Sequence, residues 1–357
     1  MGALAHDIGQ QNSAFGVNAL FSNTTGSYNT ATGLAALDRN TTGDTNSAFG
    51  YFALSSNTTA MGNAAFGAYA LQGNTDGLNN SAFGWQALYS NTTGFFNTAS
   101  GSDSLANNST GAVNTAAGYG ALFSNTTAGN NAAFGAYALT ENTTGSFNSA
   151  NGANALYSNT TGSLNSANGA NALYSNTTGA GNTASGAWAL YFNLTGADNT
   201  ASGAFALLSN ATGNYNNAVG YNALRSSTTG SNNNAQGSNA LYANTTGFGN
   251  SGMGANSLLN LTTGFRDVGV GNNTGLNVIA GAYDVYIGWG VSGPADESNA
   301  VRIGTVNNPD TPAANTVATY IGGVLTNPTA GSAVVIDANG RLGVTASSER
   351  YKCSAGG

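Results

Sequence analysis

From Asn12 to Arg266 the chain repeats one motif of seventeen residues, with no insertion and no deletion. Fifteen units begin at Asn12, Asn29, Asn46 and so on to Asn250, with the consensus Asn-Thr/Ser-Ala-x-Gly-x-x-Ala-Leu-x-x-Asn-Thr-Thr-Gly-x-x. Position 1 is always Asn, position 5 always Gly and position 9 always Leu; position 3 is Ala in every unit but one, where Gly252 stands. A strict period means that each unit buries itself against a copy of itself. Seventeen residues are too few for a pair of stacked helices, which takes roughly 34 in the common helical arrays. The length suits one β-coil of two short strands and two turns. Strands are expected at positions 2–4 and 7–10, with turns at the glycines of positions 5 and 15 and at Asn-Thr-Thr-Gly. The predicted fold is all-β: a repetitive parallel β-solenoid, or β-roll, of 17-residue coils. At about 4.8 Å per coil the array would be on the order of 70 Å long.

Stacking turns repeat positions into columns. The structural set is Asn12, Gly16 and Leu20 in the first unit, Asn29, Gly33 and Leu37 in the second, and their equivalents onward. Leu20 through Leu258 form a continuous apolar column, each buried Leu contributing roughly 1.5–3 kcal/mol. Alanines at positions 3 and 8 suit walls that approach closely. The asparagines of positions 1 and 12 are expected to hydrogen-bond along the stack as amide ladders. One Leu and two Ala per coil make a thin core, and lateral association would bury more small-residue surface, so a homotrimer is expected. With 41% hydrophobic and only 6% charged residues, the chain lacks the composition of a disordered one.

Composition also excludes functions. Seven Lys and Arg against a net charge of −7 cannot neutralise a nucleic-acid backbone. One cysteine, Cys353, rules out an intrachain disulfide framework, and one histidine, His6, a multi-histidine metal site. Aspartate is too scarce for a calcium-binding repeat, and no cofactor is expected. No apolar run of about 18 residues exists to span a membrane. Met1–Asp7 lacks the basic and apolar regions of a secretory signal, and Leu4 stands eight residues before Asn12, so the chain opens in an imperfect repeat over residues 1–11. Triplets such as Asn159-Thr160-Thr161 match the glycosylation acceptor, but their fixed phase favours turn and ladder chemistry. The same pairs suggest a water-ordering, ice-binding face, although such a face calls for Thr-x-Thr on a strand. The variable aromatics are the candidate binding residues. Position 4 carries Phe15, Phe49, Phe66 and Phe83, then turns polar at Asn151 and Asn168; position 10 carries Tyr89, Tyr157, Tyr174 and Tyr191. They read either as packing between coils or chains, or as a strip for a cell-surface glycan or receptor.

After Arg266 the motif is lost, and residues 267–346 read as a β-rich stalk. Runs such as Ser298–Gly304 and Ala333–Val344 are rich in β-branched residues, with Asn339-Gly340 as a hairpin turn. Residues 347–357 begin Ser-Ser-Glu-Arg-Tyr-Lys. The Asn-Ser/Thr-Ala-x-Gly-x-x-Ala-Leu units resemble the head repeats of trimeric autotransporter adhesins and the shaft repeats of phage-type tail fibres. The final stretch resembles the start of an endosialidase-type intramolecular chaperone. This resemblance implies three β-rolls around a threefold axis and an extracellular appendage or virion fibre. With a lone histidine near the terminus no His–carboxylate–Ser constellation can form, so no enzyme is expected in the shaft. The resemblance also implies a remnant of a self-cleavage site, with Ser347 as nucleophile and Lys352 as its base. A lysine serves so only when its amine is neutral.

Overall fold

The computed structural model describes residues 9–304 and, beyond them, the backbone of two short strands. The chain divides into two compact units, Met1–Val317 and Ala318–Gly357. In the first, every coil supplies one three-residue strand, from β1 (Ser13–Phe15) and β2 (Thr30–Thr32) to β18 (Val301–Ile303), and all belong to one 18-stranded parallel sheet. Equal repeat positions face each other: Ser13 pairs with Thr30, Ala14 with Ala31 and Phe15 with Thr32. No helix occurs among the described residues. In the second unit β19 (Val334–Ile336) pairs antiparallel with β20 (Leu342–Val344). The two strands match the expected hairpin, while Asn339 and Gly340 lie outside the described residues.

The strand is short because only position 3 points inward. At Gly252, the one unit without Ala there, an added Cβ would lie 3.2 Å from Ser257 O and 3.3 Å from Leu241 Cγ. A methyl group fills that space and a larger side chain would overpack it. Position 5 ends the strand. Gly169 sits at φ +141°, where a Cβ would also meet Gly186 O at 2.7 Å, so the column admits glycine alone.

The second strand expected at positions 7–10 does not form. Positions 7 and 9 are left-handed in coil after coil; Asn171 has φ +57° and Leu173 φ +53°. Two such residues bend the chain where an apolar run suggested extension. The backbone is satisfied all the same, since Asn171 N–H donates to Ala153 O of the coil before (3.0 Å) and Leu173 N–H to Ala189 O of the coil after (2.9 Å). A left-handed Leu is strained by roughly 1–2 kcal/mol. Complete burial of that side chain, as in Leu20 through Leu258, contributes roughly 1.5–3 kcal/mol, enough to offset the strain.

Two buried asparagines per coil complete the interior. At position 1, Asn29 Oδ1 accepts from Asn46 N–H in the next coil (2.9 Å), while Asn29 Nδ2 donates across its own coil to Gly43 O (2.8 Å). At position 12, Asn40 Nδ2 donates to Asn23 Oδ1 of the previous coil (2.7 Å) and to the same Gly43 O (3.0 Å). The position-15 carbonyl therefore receives two amides, and the turn it belongs to is tied to both ladders.

The coil outlasts the motif that reveals it. Beyond Arg266, β16 (Val268–Val270) and β17 (Val285–Ile287) continue the same parallel ladder to β18. The expected start of a separate stalk at residue 267 falls inside this sheet. Position 1 is there Asp267 and then Asp284, and Gly271 and Gly288 keep position 5 with φ +124° and +126°. The Leu column ends at Gly275, and fully buried Tyr286, at position 3, held by Ala in all but one of the fifteen repeats, fills the core above it.

One natural flaw tests the amide ladder. Ser227 replaces Asn at position 12, leaving its own Oγ and Asn210 Oδ1 buried without partners. Ser227→Asn should close the column and raise stability by about 1–2 kcal/mol, read as a higher urea midpoint.

Candidate binding surface

The core columns leave positions 2, 4, 6, 7, 10, 16 and 17 at the surface, and aromatic rings recur there. Position 4 follows the inward Ala on each strand, so its side chain points out from the sheet. Phe49, Phe66 and Phe83 are stacked there, with centroids 4.8 and 5.1 Å apart and planes within 10° and 11° of parallel. Phe15, with Thr32 rather than a ring in register beside it, is 77% exposed. From β9 (Ser149–Asn151) through β12 (Thr200–Ser202) the outward residues of the sheet are small and polar.

Position 10 follows the buried Leu and forms a second column. Tyr157, Tyr174 and Tyr191 stack at 5.1 and 5.0 Å with planes 9° and 12° apart. The structure adds rings that column-by-column reading kept separate. Left-handed position 7 swings its side chain toward position 10, so Tyr69 meets Tyr89 (6.4 Å), Tyr137 meets Tyr157 (6.3 Å) and Trp188 meets Tyr191 (4.6 Å). Tyr119, from position 6, meets Tyr137 edge-on at 5.2 Å. A ridge therefore runs Tyr119, Tyr137, Tyr157, Tyr174, Tyr191, one ring per coil except where a coil contributes from two positions. The signal was present in the sequence as aromatic enrichment at positions 6 and 7, but only the left-handed turn joins these positions to position 10. Gly120 interrupts the ridge at position 7 and opens a notch of about 170 Å³ lined by Asp103, Tyr119, Phe123, Tyr137 and Thr140.

Geometry decides what these rings offer. In a stack at the coil rise, each inner ring has both faces covered by its neighbours, so it presents an edge outward. Phe66 shows a hydrocarbon edge. Tyr157, held above the usual phenol range by burial and then by Glu141, shows a protonated hydroxyl that can donate. Sugar-stacking faces are left mainly at the ends of each run, such as Phe49 and Phe83. The Asn-Thr-Thr turns offer little: Asn159 is fully buried, with Nδ2 donating to Asn142 Oδ1 (2.8 Å) and Gly162 O (2.9 Å). Thr160 Oγ1 donates to Thr177 O in the next coil (3.0 Å). These turns are ladder chemistry, as expected. Thr at both outward strand positions, the spacing wanted for water ordering, occurs among the described strands only in β2. Ser347, Lys352, His6 and Cys353 lie outside the described residues.

Compared with known protein families, curated proteins and solved structures, the chain matches none of them.

The stacked phenylalanines make a measurable contribution. Phe66→Ala, which removes two ring contacts at once, should lower stability by about 1–3 kcal/mol in urea unfolding. Phe15→Ala, at a ring without a stacked neighbour in register, should change it by less than about 0.5 kcal/mol.

Proposed function

We propose that this chain is the shaft of an extracellular fibre, part of a virion tail fibre or a cell-surface appendage, assembled from three copies that stand side by side. Its work is mechanical: to hold a binding end at a fixed reach and resist proteolysis on the way. The observation that supports this reading best is the unbroken ladder of 18 coils with each strand in register with the next. At about 4.8 Å per coil such a stack reaches about 80 Å without a hinge. Backbone groups bonded to the coils on either side leave few openings for a protease.

The trimer is supported by the apolar columns on the outer wall. Phe49, Phe66 and Phe83 are 37–43% exposed and form a contiguous strip. Exposed apolar strips of this kind mark contact surfaces. Their flat edges suit packing against another straight rod, and a second copy is the partner that shares the 17-residue rise. Below them the sheet turns polar at β9–β12, so that this four-coil stretch of the rod meets water or a polar ligand.

A lateral adhesin is the second reading. It is favoured by the ridge from Tyr119 to Tyr191, whose hydroxyls and notch at Gly120 give a polar-edged aromatic surface suited to a glycan or receptor.

Light scattering on a sizing column tests the trimer. The expected native mass is three times that of the 35.4 kDa chain, with an elongated sedimentation profile. The triple variant Phe49→Ser, Phe66→Ser, Phe83→Ser should weaken the trimer so that it dissociates on dilution. A wild-type protein that stays monomeric at micromolar concentration would overturn the trimeric shaft.

A further inference from the structure

The position-1 column changes chemistry at its C-terminal end. Through Asn250 every member is an asparagine; the next two are Asp267 and Asp284, both fully buried. Half of the asparagine's role survives. Asp267 N–H donates to Asn250 Oδ1 (2.9 Å), Asp284 N–H to Asp267 Oδ1 (3.0 Å) and Ala300 N–H to Asp284 Oδ1 (2.8 Å). The other half has no counterpart. Asn233 and Asn250 use Nδ2 to donate to a position-15 carbonyl, Gly247 O at 2.8 Å and Gly264 O at 2.7 Å. No hydrogen bond reaches Asp267 Oδ2 or Asp284 Oδ2, although the Tyr286 hydroxyl lies close enough to the Asp284 carboxylate to favour its charged form. These two oxygens stand where the amide nitrogen stood: a Cβ on Gly264 would lie 2.6 Å from Asp267 Oδ2, as one on Gly247 would lie 2.8 Å from Asn250 Nδ2.

An ionised carboxylate cannot donate, and here it would face oxygen acceptors in a dry interior. A protonated one has the shape and the donor of asparagine. We propose that Asp267 and Asp284 are proton-binding members of the amide ladder, so that the last coils of the solenoid lock in mild acid and loosen near neutral pH.

The surroundings agree. Burial, with the Asp284 carboxylate adding to it, pushes Asp267 up to about 6, and burial raises Asp284 as well. The nearby cations are engaged elsewhere: Arg302, which offsets the rise at Asp284 only in part, grips Glu297 through Nε at 2.8 Å and NH2 at 2.6 Å, and Arg266 donates to the Tyr283 hydroxyl at 2.7 Å. The Tyr286 hydroxyl likewise donates to Glu297 Oε2 (3.0 Å). On the N-terminal side the facing group is the neutral amide of Asn250. A metal ion is a poorer occupant than a proton, because the oxygens of the position-12 ladder are gone: Leu261 and Val278, both fully buried, replace them.

The direction follows from linkage. A carboxyl group whose folded pKa is raised favours the fold below its unfolded value near 3.8 and loses that contribution as pH rises through about 6. Hydrogen exchange on the full chain, corrected for intrinsic rates, reads it directly. Between pH 7 and pH 5, peptides from 267–304 should become about tenfold more protected through Asp267 alone. Peptides from 148–202, where the column is all asparagine, should not change. Asp267→Asn with Asp284→Asn should give the protected state at both pH values. Equal protection at the two pH values in the unmodified chain would overturn the proposal. So would a pH response that persists in the double variant, which would belong to another group, or protection at pH 7 produced by calcium rather than acid.

Discussion

Through most of its coils this solenoid depends on the position-15 carbonyl, which accepts one amide from each of two buried asparagine columns. Gly43 O takes Asn29 Nδ2 and Asn40 Nδ2, and the same junction recurs from coil to coil. A core of one Leu and two or so Ala per coil is too thin to select a single register by hydrophobic burial alone. Buried amides select it because a slip by one residue would strand donors and acceptors in a dry interior, where each orphan costs roughly 1–3 kcal/mol. The other constraints follow. With the turn pinned on both sides, Leu is held left-handed over the core, and the strand ends at a glycine that has the next coil's backbone against it.

A scaffold held together by its own repeat leaves the outward positions free. Positions 4, 6, 7 and 10 vary from Phe and Tyr to Ser, Asn and Ala without touching a core column, so surface character changes along the rod while the backbone does not. Rings placed at successive coils are brought to the stacking distance by the coil rise itself. The scaffold thus converts a repeated aromatic in the sequence into an edge-on ridge.

Much of this architecture is legible in the sequence. The period, the Leu column, the close-packed alanines, the asparagine ladders and the turn at Asn-Thr-Thr-Gly all follow from residues that recur in phase. The second strand was misread because Ala-Leu flanked by variable residues looks the same whether the chain is extended or bent, and a left-handed Leu is not something composition announces. The end of the solenoid was misplaced for a related reason. Asp267 keeps the acceptor of Asn, Gly271 keeps the turn, and Tyr286 substitutes bulk at position 3 for the bulk lost at Gly275, so the fold persists where its consensus does not. The aromatic ridge was seen as separate columns because the turn that joins positions 7 and 10 was itself unseen.

The central claim, that the repeat closes on itself through in-register columns, is tested most directly by deleting chain from the middle and measuring urea unfolding. Removal of residues 165–181, one whole coil, rejoins Asn148 to Asn182 as neighbours in the column and should leave a folded rod of nearly the same stability. Removal of eight residues from the same coil should abolish cooperative unfolding beyond the cut. If both deletions are tolerated alike, or the whole-coil deletion is as damaging as the partial one, registered amide columns are not what holds this protein together.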